Sequence, residues 1–129
     1  MGGVEFESPD LQRLAVDFDE AAQIAPAEAR KVVAKGALNI KRDAQRRVTG
    51  LAHAPAYPRA ITYDSHETPA GGWAEIGPDK EKRQGALGNV LEFGTVKNPP
   101  RPHMAPAADA ELPRFEKAMG GLAEKAIEP

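Results

Sequence analysis

The chain contains no cysteine among its 129 residues. That excludes a disulfide framework and any thiolate metal site. Aromatics are scarce, with one Trp, two Tyr and four Phe. A core of this composition must draw mainly on Ala, Val, Leu and Ile. No stretch approaches the roughly 18 consecutive apolar residues of a membrane-crossing helix, so no membrane partner is expected. Met1–Asp10 carries acids and no apolar segment, which excludes a signal peptide on this reading. The three histidines, His53, His66 and His103, show no i, i+4 pair and no HExxH spacing. They are expected to be exposed loop or strand residues, with no metal and no cofactor. Ser8 and Ser65 are the serine candidates for a nucleophile. Ser8 is explained as a helix cap. Ser65 adjoins His66, and adjacent strand residues point to opposite faces, which defeats a hydrogen-bonded dyad. Gly85-Ala86-Leu87-Gly88 lacks the lysine of a phosphate loop. Glu111 and Glu116 read as ordinary helix-surface acids. No catalytic set assembles, so neither an enzyme nor a small-molecule substrate is expected.

The length suits one domain spanning 1–129. Its net charge of −2 hides an asymmetry. Residues 1–29 carry one base and seven acids. Residues 30–59 carry eight bases and one acid, and residues 60–129 carry eight bases and eleven acids. One cationic segment is set inside an otherwise acidic chain.

Residues 1–9 are expected to be a flexible N-terminus. Ser8-Pro9-Asp10 then reads as a helix start, with Ser8 as N-cap and Pro9 at the first helical position. Leu11, Leu14, Ala15, Phe18 and Ala22 follow at helical spacing, and the helix is expected to end near Ile24, ahead of Pro26. Pro26 opens a second helix, expected to run to Thr49 with Gly50 as its stop. Residues 50–59 form a loop. Ile61-Thr62-Tyr63 and the Trp73/Ile76 segment predict a hairpin turning over Thr68–Gly72. Residues 79–85 are charged and expected to be a mobile loop. Ala86–Phe93 is a short helix or a strand, and periodicity does not decide between them. Residues 96–104 form an extended, proline-stiffened arm. Pro106 opens a last helix to about Ala126, which Pro113 is expected to kink or split. The resulting class is α+β: long amphipathic helices packed on a small antiparallel sheet, with a proline-rich arm leading into a C-terminal helix.

The second helix carries the clearest pattern. On a wheel of about 100° per residue, Val33, Ala37, Ile40, Ala44 and Val48 fall within about 80° of one another. Lys31, Lys35, Arg42 and Arg46 fall within about 60° of one another on the opposite side. The polar face is therefore a straight cationic stripe. It reads as a solvated face, as contact with an acidic partner such as a neighbouring copy's N-terminal acids, or as a surface facing DNA phosphates. No aromatics interleave its bases, which disfavours stacking on single strands.

The run Leu87–Thr95 contains Leu91-Glu92-Phe93-Gly94-Thr95. It is followed by Asn98-Pro99-Pro100-Arg101-Pro102-His103-Met104-Ala105-Pro106-Ala107. Upstream stand a Lys/Arg-rich helix, the Ala52-His53-Ala54-Pro55 loop and the Ala74–Pro78 strand. In this order the blocks resemble the tail-component family of long-tailed double-stranded-DNA bacteriophages over roughly residues 10–127. Met104 stands where that family commonly has a bulkier apolar pair, and Pro113 interrupts a helix expected to be unbroken. On physical grounds Phe93 can anchor in the core and Gly94 can adopt positive φ. Pro99, Pro100, Pro102 and Pro106 can stiffen an arm that either reaches a neighbour or packs on its own domain.

The resemblance implies a structural virion protein of the neck or tail, which completes the tail or joins it to the DNA-filled head. It implies a ring of identical subunits, most commonly six. The implied partners are adjacent connector and tail-tube or tail-terminator proteins, with non-specific contact to packaged DNA possible. The implied site of action is the virion, after synthesis in the bacterial host cytoplasm. Two other classes stand beside it: a small DNA-binding module using the basic helix 30–47, and a small inhibitor or toxin-like protein.

Overall fold

A computed structural model of the chain describes residues 2–8, 11–17, 26–68 and 71–127, with the backbone alone over the first two spans. The elements are β1 (Gly2–Ser8), β2 (Leu11–Asp17), α1 (Pro26–Arg47), α2 (Tyr57–Ala60), β3 (Ile61–Thr68), β4 (Gly71–Pro78), a 3-10 turn (Gly85–Leu87), α3 (Gly88–Phe93) and α4 (Met104–Ile127). The fold is α+β. Four antiparallel strands pair in the order β1-β2-β4-β3. Both long helices contribute to one core with the sheet, and they pack on each other.

α1 follows its apolar periodicity. Val33, Ala37, Ile40, Ala44 and Val48 are all buried, against Ala74 and Ile76 of β4 and Ile61 of β3. Its 22 residues make a rod about 33 Å long. Beyond it, Gly50 takes φ +87°, which supplies the predicted stop. The loop that follows contains the single turn α2, which begins at Tyr57 with Pro58 near its start, where the missing N–H costs nothing. The predicted hairpin is present as β3 and β4, with Ile61 opposite Pro78 and Thr68 opposite Gly71. Pro69 and Ala70 of its turn lie outside the described residues.

The N-terminal expectation is corrected. Gly2–Ser8 is a strand rather than a flexible end, and Leu11–Asp17 is a strand rather than the first turns of a helix. Val4 and Phe6 alternate with Glu5 and Glu7, and Leu14 and Val16 alternate with Arg13, Ala15 and Asp17, which is period two. Leu11, Leu14 and Ala15 fit the helical spacing and Leu14 and Val16 the strand spacing, so local pattern leaves the choice open. Pairing decides it: β2 lies between β1 and β4, with Leu14 opposite both Val4 and Ala74. Phe18, Ala22 and Ile24 of the expected helix lie outside the described residues.

Residues 79–85 are a run of hydrogen-bonded turns rather than a free loop. Lys82 N–H donates to the Asp79 carbonyl (3.0 Å), and Gly85 N–H donates to the Lys82 carbonyl (2.9 Å). The Gln84 side chain accepts from Ala56 N–H (2.6 Å) and donates to the His53 carbonyl (3.3 Å). It thereby ties the run to the loop before α2.

α4 passes through Pro113 without splitting. The proline withdraws one N–H, and the carbonyl it leaves unbonded belongs to Asp109. Both residues are exposed. Glu111, read from sequence as a surface acid, is buried. It accepts from Asn39 of α1 (3.1 Å) and from Arg114 (2.8 Å), which ties the two helices together.

Candidate functional site

The family-like block, Leu87–Ala107, folds as one corner. α3 ends where Gly94 adopts φ +75°, ψ −177°, and its N–H donates to the Val90 carbonyl (2.8 Å). The chain then turns over Thr95–Asn98, whose backbone groups bond each other at 2.9 and 3.3 Å. Pro99 and Pro100 follow, exposed. Arg101 N–H returns to the Leu91 carbonyl (2.6 Å). Within this chain that bond ties the arm to α3, while residues 96–102 are exposed.

Glu92 holds the corner together. Its carboxylate is buried and reaches the start of α4. Oε1 accepts from His103 N–H (3.0 Å) and Met104 N–H (2.9 Å), and Oε2 accepts from Ala105 N–H (3.3 Å). A helix N-terminus leaves its first N–H groups without intrahelical partners and carries positive partial charge. A buried carboxylate answers both needs. This is capping from a residue 11 positions upstream of His103, so no local Ser/Thr-x-x-Glu pattern announces it.

His103 corrects another expectation. It is fully buried, not exposed. Its Nδ1 lies 3.0 Å from the Arg101 carbonyl and 3.0 Å from Glu92 Oε1. Its Nε2 lies 2.6 Å from the Tyr57 hydroxyl. Two acceptors around Nδ1 place the ring proton there, so Nε2 accepts from Tyr57. The ring stands edge-on to Tyr57 with centroids 5.2 Å apart. Tyr57 was not singled out by sequence and His103 was read as exposed, because their contact closes a gap of 46 residues. Changing Tyr57 to Phe removes the donor to Nε2 while nearly keeping the volume. The expected cost is about 1–3 kcal/mol, read by urea unfolding. A variant as stable as the parent would show that Nε2 finds another donor.

Phe93 does not anchor in the core. It is 57% exposed, Val90 is 42% exposed and Val96 is fully exposed. Phe93 occupies the last position of α3, whose inward turn is already used by Glu92 and half-buried Leu91. Val90 borders a groove of about 510 Å³ that Leu51, Leu87, Leu91 and Pro99 help to line. The block therefore buries Glu92 and His103 beside Met104 and Ala107, while Val90, Phe93 and Val96 are left exposed. Of its remaining residues, Thr95 accepts at Oγ1 from the N–H groups of Lys97 (3.3 Å) and Asn98 (3.1 Å). Pro102 is exposed and Pro106 half-buried in the first turn of α4.

The stripe lies where its wheel placed it. Lys31, Lys35, Arg42 and Arg46 are all exposed on α1, opposite its buried face. Lys31 pairs with Glu28 (3.3 Å), and Arg46 with Asp43 (2.6 Å). Among the described residues Lys35 and Arg42 have no ion-pair partner. Asp43 also receives Arg47 (3.0 Å). The exposed Lys31–Glu28 pair contributes little stability, whereas Arg46 and Arg47 both serve the buried Asp43.

Catalytic chemistry gains no support from the geometry. His66 stacks on Trp73 at 4.1 Å rather than turning to Ser65, and Ser65 is exposed on the other face of β3. Among the described residues no group of three or more His, Asp or Glu could hold a metal ion. Nor, among them, is any helix long and apolar enough to cross a membrane. Compared with known proteins, the chain matches no family model, no curated protein and no solved structure.

Proposed function

We propose that this protein is a structural component of a tailed-bacteriophage virion, acting in the neck or tail to complete the tail or join it to the DNA-filled head. On this reading its work is assembly and not catalysis. The supporting observation is how the Leu87–Ala107 block divides its residues. Glu92, Gly94 and His103 build a rigid internal corner, while Val90, Phe93 and Val96 stay outside. Large apolar side chains grouped on a small protein mark a contact surface. A corner fixed by buried hydrogen bonds presents them with little entropy left to lose on docking.

Electron microscopy of particles lacking the protein tests the assignment. The expected result is DNA-filled heads and separate tails, or tails of aberrant finish. Phe93→Ser should reproduce that defect while changing stability by less than about 0.5 kcal/mol, because the side chain is mostly exposed. Normal infectious particles without the protein would sink the assignment.

A further inference from the structure

We infer that copies of this chain dock head to tail, with the cationic face of α1 of one copy seated on the open face of the sheet of the next. The inference rests on the assembly reading above and names its self-contact. Both long helices lie on one side of the sheet, so the two surfaces are on opposite sides of the molecule. The helix surface offers Lys35 and Arg42 without ion-pair partners among the described residues, flanked by Lys31 and Arg46. On the sheet face away from the helices stand the acids Asp64 and Glu75, beside the stacked His66 and Trp73. Asp64 of β3 stands directly opposite Glu75 of β4, and Glu75 opposite Arg13 of β2, which in turn stands opposite Glu5 of β1.

Like charges directly across a ladder are destabilising. Among the described residues Asp64 and Glu75 form no ion pair, and Arg13 is the one base in a register row of three acids. A cationic surface laid over that row relieves it. The row crosses about 14 Å of sheet at the usual strand spacing. Lys35 to Arg42 covers about 10 Å of helix, so the two charge groups are of similar extent. Because the patches differ, the contact is heterologous, and it propagates into a closed ring or an open chain depending on the rotation per step.

A nucleic-acid occupant is less favoured. The chain is acidic overall, with a pI near 5.9, and Glu28 and Asp43 are set among the bases of the helix itself. Size argues that the contact is weak when isolated. A face about 33 Å long and 10 Å wide offers about 300 Å², well under the roughly 800 Å² per partner of a stable complex.

The test uses two double variants of the full chain, Lys35→Glu/Arg42→Glu and Asp64→Lys/Glu75→Lys. Lys35, Arg42 and Asp64 are exposed and Glu75 is half-buried, and thermal unfolding verifies that both variants fold. Sedimentation at up to about 1 mM protein, at low and at high salt, reads association in the range set by so small a face. The wild type should associate at low salt and lose this as salt screens the charges. Each variant alone should associate about a hundredfold more weakly, because like charges now meet. An equimolar mixture should recover association, since each variant supplies the face the other needs. A wild type that stays monomeric at about 1 mM, or a mixture that fails to recover, overturns the inference. So does unchanged self-association alongside steep, salt-dependent binding of the stripe to duplex DNA. Infectious, normally joined particles built from the helix variant would overturn the self-contact alone. Normal particles lacking the protein altogether would overturn the assembly reading instead.

Discussion

Glu92→Ala is expected to lower stability by about 3–5 kcal/mol, a third or more of what a domain of this size usually has. The carboxylate accepts three backbone N–H groups at the start of α4, and both Glu92 and His103 are buried. Hydrogen bonds to a charged acceptor contribute about 1.5–3 kcal/mol each, and donors left unpaired in a buried place cost as much again. Helix opening and water entry should recover part of this, which sets the estimate below the plain sum. His103 Nδ1 keeps the Arg101 carbonyl, so its own loss is small. Glu92→Gln should fall between, at about 1–3 kcal/mol. It keeps one oxygen for the N–H groups but turns an amide donor toward them and gives up the charge that suits the helix end. Urea unfolding measures both. Glu116→Ala, on the exposed side of α4, serves as the comparison and should change stability by less than about 0.5 kcal/mol. A loss below about 1 kcal/mol for Glu92→Ala would mean that water caps α4 equally well.

Gly94→Ala should cost about 3 kcal/mol or more. The backbone at φ +75°, ψ −177° lies in a region used almost only by glycine, and entering it costs about 1–3 kcal/mol. Space adds to that. A Cβ at Gly94 would lie 2.7 Å from Pro100 N and 2.8 Å from the Asn98 carbonyl oxygen. Both are backbone atoms of the proline-stiffened turn, so neither can swing aside as a side-chain tip would. Gly50 separates the two contributions. It also has positive φ, yet its Cβ would meet nothing within 4 Å. Gly50→Ala should therefore lose only about 1 kcal/mol. Thermal unfolding of the two variants side by side checks the difference. Equal losses would show that the Thr95–Pro100 turn yields readily, and that the corner is less rigid than its hydrogen bonds imply.

The two glycines also show where sequence reasoning works. Gly50 was expected to stop its helix and Gly94 to adopt positive φ, and both take positive φ, because that requirement is local. Phe93 was assigned to the core and lies outside it, while Glu92, its polar neighbour, lies within. Hydrophobicity ranks the pair the other way round. The order inverts because an N-terminus 11 residues downstream needs a carboxylate more than the interior needs another ring. Periodicity at Leu11–Asp17 failed for a related reason. Seven residues with apolar groups at both spacings fit a helix and a strand alike, and strand pairing with β4 decided between them.

The sequence by itself determined the α+β class, the long helix opening at Pro26 with its buried and cationic faces, the β3–β4 hairpin and the positive φ at Gly94. Each rests on a period or a backbone requirement contained within about 20 neighbouring residues. Only the tertiary structure decided that the N-terminal segment joins the sheet, that Tyr57, Glu92 and His103 meet in one buried network, and that Val90, Phe93 and Val96 are left outside. Those outcomes depend on contacts between residues far apart in the chain, where burial and hydrogen-bond satisfaction outweigh what any single residue prefers.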